Sequence, residues 1–140
     1  MHARYLLDTN TASYIIKGKS LAIDHHLARA PVSQIAISAI TEAELRFGAA
    51  RRAQDLRLES VIEDFLLRVT VLSWDSDAAR QYGLLCASLE RDGAPTGNLD
   101  LMIAARALAL NAVLVTSVPP HQETEDPELE RAFGAFSPWR

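Results

Sequence analysis

Short runs of consecutive apolar residues alternate with longer stretches in which apolar and polar residues recur at helical spacing. Tyr5-Leu6-Leu7, Ile35-Ala36-Ile37, Val69-Thr70-Val71-Leu72 and Ala112-Val113-Leu114-Val115 are the short runs, each read as a strand. Between them the pattern predicts helices from about Asn10 to Lys17, Ser20 to Ala30, Ala39 to Arg52, Asp55 to Arg68, Asp75 to Arg91 and Asn98 to Leu110. The punctuation agrees: Asp8-Thr9-Asn10, Asp75 and Asn98 are N-caps, Gly18 and Gly93 are stops, and Pro31 ends the second helix. A further edge strand is expected over Ala135–Trp139. Strands that are apolar throughout are buried on both faces, so the expected fold is α/β, a parallel sheet between helical layers.

In such folds ligands bind at the carboxyl ends of the strands. That directs attention to Asp8-Thr9-Asn10, Ser38, Ser73-Trp74-Asp75 and Thr116-Ser117. Asp8 either caps a helix or serves a ligand, and its position suits both. In the Ala39–Arg52 helix an apolar stripe is expected through Ile40, Ala43, Phe47 and Ala50, with Glu44 on it. Glu42, about 200° away from Glu44 around the helix, faces solvent and pairs with Arg46 four residues on. Asp100 opens an almost wholly apolar helix, where the helix dipole favours an acid in any case. If Asp8, Glu44 and Asp100 converge, their mutual repulsion calls for a cation. Oxygen donors without cysteine or a well-spaced histidine pair suit Mg²⁺ or Mn²⁺ rather than zinc.

Composition narrows the classes. The 140 residues are 49% apolar and 23% charged, enough for one domain with a real core and too apolar for general disorder. The single cysteine, Cys86, rules out a disulfide framework and is expected in the core. No run approaches the ~20 apolar residues that span a bilayer, and the opening Met1–Leu7 is too short for a signal segment, so no membrane association and a cytoplasmic location are expected. The net charge of −4 is uneven: residues 121–140 hold five acids and two bases. This acidic tail, from about residue 118, gives nucleic acid nothing to grip. The expected basic contact is instead Arg46, Arg51 and Arg52, near the end of the Glu44 helix.

Four segments in order carry a resemblance: Leu-Leu-Asp8-Thr-Asn10; Ile-Ser-Ala-Ile-Thr-Glu-Ala-Glu44-Leu-Arg-Phe-Gly48-Ala; Tyr82-Gly83 with Gly93-Ala-Pro-Thr-Gly97-Asn-Leu-Asp100-Leu-Met-Ile-Ala-Ala; and Leu-Val-Thr116. Over residues 4–117 the chain resembles the PIN-domain ribonucleases, specifically the VapC-type toxins of bacterial toxin–antitoxin pairs. The resemblance implies a Rossmann-like three-layer α/β/α sandwich with a central parallel sheet, a single domain over 1–140. It implies an Mg²⁺-dependent endoribonuclease in which Asp8, Glu44 and Asp100 hold the metal. Thr9, Asn10, Thr116 and Ser117 are then hydrogen-bonding residues around the ions. The implied partners are RNA, a cognate VapB-type antitoxin and a second copy of the chain.

The chain departs from the family after Thr116, where it reads Ser117-Val-Pro-Pro-His-Gln-Glu123-Thr-Glu125-Asp126, and no fourth acid can be placed. The Val118–Asp126 stretch is expected to stay outside the metal shell. That departure motivates an alternative, a PIN-like domain without activity that binds RNA or antitoxin. Haloacid-dehalogenase phosphatases and response-regulator receivers also carry an aspartate after the first strand. The former require a second aspartate where Asn10 stands, and both require a later lysine, whereas none follows Lys19.

Overall fold

The four apolar runs pair into one parallel sheet. A computed structural model describes residues 3–17, 32–94 and 98–116. Its strands are β1 (Tyr5–Leu7), β2 (Ile35–Ser38), β3 (Thr70–Leu72) and β4 (Val113–Val115), in the order β3-β2-β1-β4. Leu6 lies opposite Ala36 on one side and Leu114 on the other. The helices are α1 (Thr9–Lys17), α2 (Ala39–Arg51), α3 (Leu56–Arg68), α4 (Ser76–Arg91) and α5 (Leu99–Leu110). The expected helix over Ser20–Ala30, the edge strand over Ala135–Trp139 and the acidic tail lie outside the described residues. Among those described, no helix is long and apolar enough to cross a membrane.

Alternation along the strands divides the core in two. Leu6, Ala36 and Leu114 face α5, where they pack with Ile103, Ala104 and Ala107. Leu7, Ile35, Ile37 and Val115 face the other layer and pack with Ala12, Leu45 and Ile62, from α1, α2 and α3. The result is the three-layer sandwich. β3 is the least buried strand, with Val71 exposed at the margin of the sheet. Arg106 and Trp74 tie α5 to the segment after β3: the guanidinium donates to the Ser73 carbonyl at 2.7 Å, and the indole N–H to the Met102 carbonyl at 2.8 Å.

Asp75 and Asn98 cap their helices as expected, and Ser38 and Asp55, expected as a strand end and a helix start, add two more caps. Ser38 Oγ accepts from the Ile40 and Thr41 amides, Asp55 from Leu58, Asp75 from Ala78 and Asn98 from Leu101. Asn111 closes α5 in the left-handed conformation that asparagine tolerates.

Of the expected stripe on α2 only Ile40 turns inward, half-buried against the cluster under α5. Ala43, Phe47 and Ala50 are exposed, Phe47 by 63%, and the fully buried residues are Thr41 and Leu45, with Gly48 and Ala49 half-buried. That face lies about 180° from the expected one. Alanines on both sides leave α2 without a strong apolar signal. A buried threonine and a helical glycine are counted as polar or breaking residues in any pattern of this kind. The exposed Phe47 ring is instead covered by the Arg51 guanidinium, 5.2 Å from its centroid.

Gly48 has no atom within 4 Å of where a side chain would start. Gly48→Ala is therefore expected to stabilise the protein by about 0.5–1 kcal/mol through helix propensity alone. Urea unfolding of the two proteins checks this.

Candidate active site

β2 and β3 lie on one side of β1, and β4 returns to its other side. The order reverses between β1 and β4, and in open parallel sheets a cleft forms at such a switch point. Asp8 sits at the carboxyl end of β1, inside that cleft. Its amide donates to the Val115 carbonyl at 3.0 Å, and its Oδ1 accepts from the Thr11 amide at 2.8 Å. The Thr11 hydroxyl, fully buried, donates to the same Val115 carbonyl at 3.1 Å. Asp8 is therefore a helix cap as well as a cleft residue.

The cap does not satisfy the charge. Asp8 is raised from 3.8 to about 6. Burial is the main cause, and the bonds from Thr11 oppose it; the Asp100 and Glu44 carboxylates push it further up. These last two effects connect the three acids through space. Glu44, half-buried on α2, accepts a hydrogen bond from Thr9 Oγ1 at 2.8 Å, which holds it next to Asp8. Asp100 is exposed in the first turn of α5. The three carboxylates are neighbours, yet no group of three His, Cys, Asp or Glu among the described residues is drawn together into a ready metal cage. Like charges without a counterion repel, which opposes such a closure. The donors are all hard carboxylate oxygens, the set that Mg²⁺ or Mn²⁺ prefers.

Glu42 turns outward, to Arg46 at 2.9 Å, and Arg46 reaches on to Glu63 at 2.7 Å. Glu44 therefore lies at the cleft and Glu42 does not. The stripe that pointed to Glu44 was misplaced, however; what puts Glu44 there is its position at the margin of the true buried face. Arg46 is taken up by two carboxylates, and among the described residues it is the one of the three arginines expected near nucleic acid that is already neutralised. Arg51 and Arg52, with Lys17, line a cavity of about 180 Å³ that also reaches Thr9 and Glu44. Lys17 carried no such expectation. The signal for it was available only in the pairing of α1 with α2.

Of the surrounding polar residues, Thr9 bonds Glu44, Asn10 is exposed, and Thr116 is half-buried just past β4. Ser117, Glu123, Glu125 and Asp126 lie outside the described residues. Thr41 was missed: it is fully buried, with its hydroxyl 3.3 Å from that of Thr9. Cys86 is half-buried beside Tyr82 rather than in the core.

Comparison with known proteins agrees with this geometry. The PIN domain family model matches residues 5–117. Ribonuclease VapC2 of Haemophilus influenzae is 36% identical over 114 residues, 81% of this chain and 86% of that protein. The tRNA(fMet)-specific endonuclease VapC of Salmonella typhimurium is 38% identical over the same shares. Among solved structures, DNA-bound VapBC from Salmonella typhimurium matches with a TM-score of 0.83 and 35% identity over the whole of both chains. VapBC2 from Rickettsia felis, bound to a fragment of its promoter, gives a TM-score of 0.77 and 29% identity, covering 95% of this chain and 96% of that one. The cleft at the switch point, its acids and these likenesses lead to one assignment: the chain belongs to the PIN-domain family, among the VapC-type proteins.

Proposed function

We propose that this protein is a metal-dependent endoribonuclease, the toxin of a toxin–antitoxin pair, held in check by a VapB-type antitoxin. The observation that carries the reading is Asp8, half-buried at the end of β1 and raised to about 6 by desolvation and by the carboxylates of Asp100 and Glu44. Three repelling acids, two of them half-buried, are costly to keep for structure alone, and a perturbed acid at such a place marks a functional site.

In this reading Asp8, Glu44 and Asp100 hold Mg²⁺ or Mn²⁺. When bound, such an ion stabilises charge on a phosphodiester and makes water a better nucleophile at neutral pH. The chain's own part is to position. Thr9 keeps Glu44 on Asp8, and the Asn98 cap fixes the first turn that carries Asp100. Lys17, Arg51 and Arg52 beside the cavity attract an RNA backbone toward Glu44. A cytoplasmic location and a homodimer belong to the same reading.

The test is cleavage of RNA by the purified protein with Mg²⁺ and with a chelator. Cleavage is expected to stop on chelation. Glu44→Gln is expected to reduce it by about a hundredfold or more. Glu42→Gln, which loses only an exposed ion pair, is expected to leave it unchanged. The second reading, binding without catalysis, draws on the lack of a closed three-acid cluster among the described residues. It requires that the parent protein bind RNA and cut none at any Mg²⁺ or Mn²⁺ concentration.

A further inference from the structure

Thr9 directly follows Asp8 and is the first residue of α1. Its hydroxyl lies 2.8 Å from Glu44 Oε1 and 3.3 Å from Thr41 Oγ1. A hydroxyl has one proton to give, and an ionised carboxylate can only accept. The Thr9 proton therefore goes to Glu44, the shorter contact. The contact with Thr41 must then run the other way, Thr41 donating to the Thr9 oxygen. Thr41 itself cannot wander. It is fully buried, and its backbone amide is held by Ser38 Oγ at 3.3 Å in the first turn of α2. It also stands three residues before Glu44, on the same side of the helix.

We propose that Thr41 and Thr9 form a hydroxyl relay that fixes the Glu44 carboxylate beside Asp8, which makes Thr41 a positioning residue of the site although it touches neither metal nor RNA. The inference deepens the proposed function and rests on it for its consequence, though not for its geometry. Glu44 is a half-buried side chain with three rotatable bonds and a like charge for a neighbour. Left alone it would turn toward water. A charge-assisted bond from a hydroxyl that is itself oriented by a second, buried hydroxyl counters that tendency, because bonds in series polarise one another. The relay also joins two of the three chain segments that carry the acids: Thr9 moves with Asp8, and Thr41 moves with Glu44.

Two readouts test the relay. The first is the set of three-bond couplings of the Glu44 side chain, measured by NMR on metal-free protein. The parent and Thr9→Ser are expected to show one dominant rotamer. Thr9→Val, which keeps the shape and loses the hydroxyl, is expected to show averaging, and Thr41→Val a partial averaging. The second is Mn²⁺ affinity by titration calorimetry. It is expected to fall about 10- to 100-fold in Thr9→Val and about tenfold in Thr41→Val. Thr9→Ser and Thr41→Ser are expected to restore it. A single Glu44 rotamer together with parental Mn²⁺ affinity in Thr9→Val would overturn the relay, as would serine variants no better than valine. If the parent bound no Mn²⁺, the proposed function would fall, and the couplings alone would still decide the relay.

Discussion

Asp8→Asn is expected to end RNA cleavage and, at the same time, to make the metal-free protein more stable by about 3 kcal/mol at neutral pH. Both effects come from one charge. The Asp8 carboxyl is near 3.8 when the chain is unfolded and near 6 in the folded protein. Between those values the folded state holds a proton that the unfolded state has released. The stability this group contributes therefore declines as pH rises from about 4 to about 6, and the full cost persists above that. An amide carries no such cost. It also keeps the cap, because asparagine Oδ1 can accept from the Thr11 amide as aspartate does now. What it loses is the charge that would hold a cation. Unfolding by guanidinium in the presence of a chelator, at pH 7.5 and at pH 4, measures the difference. The gap is expected to be wide at the first pH and nearly closed at the second. Added Mn²⁺ is expected to stabilise the parent and leave the variant unchanged. A variant less stable than its parent at pH 7.5 would show that the carboxylates do not oppose folding.

The second large effect is in the core, and it differs between adjacent residues. Leu6 and Leu7 are both fully buried on β1, yet they face opposite layers. Leu6 shares its cluster with Ile103 and Leu114 but mostly with alanines, Ala36, Ala104, Ala107 and Ala112, side chains with no rotamers to move. Leu7 shares its cluster with Ile35, Ile37, Leu45 and Ile62, which can shift to fill part of a void. The cost of a leucine-to-alanine change runs from about 2.7 to 5 kcal/mol and rises with the cavity that remains. Leu6→Ala is expected near the upper end, and Leu7→Ala about 1 kcal/mol or more below it. Equilibrium urea unfolding of both variants decides the order. The reverse order would mean that the alanine-rich layer is the more yielding one.

The strands and most helices are legible because each signal is local. Apolar runs, an aspartate or asparagine before a helix, and glycine after it act within a few residues. The first and last members of the carboxylate set are legible for the same reason, since Asp8 and Asp100 sit at element ends. Glu44 needed the resemblance: its own helix hides its orientation behind alanines, a buried threonine and a glycine, and the stripe read from it faced the wrong way. Arg46 shows a second limit. Its pair with Glu42 is legible from the spacing, but its second partner, Glu63, lies on another helix, seventeen residues on, so nothing near Arg46 in the chain indicates that two carboxylates hold it. Thr41 shows a third. A threonine in a helix looks indifferent until α1 and α2 are placed side by side.

The Val115 carbonyl accepts from both Asp8 and Thr11 across a separation of more than a hundred residues. While the protein is being made, the Asp8 end of the cleft therefore lacks this anchor until the segment carrying Val115 has left the ribosome. A nascent chain that has already released β1, α1 and α2 holds Asp8 and Glu44 without the strand that seats Asp8. The topology thus delays completion of the cleft until late in synthesis.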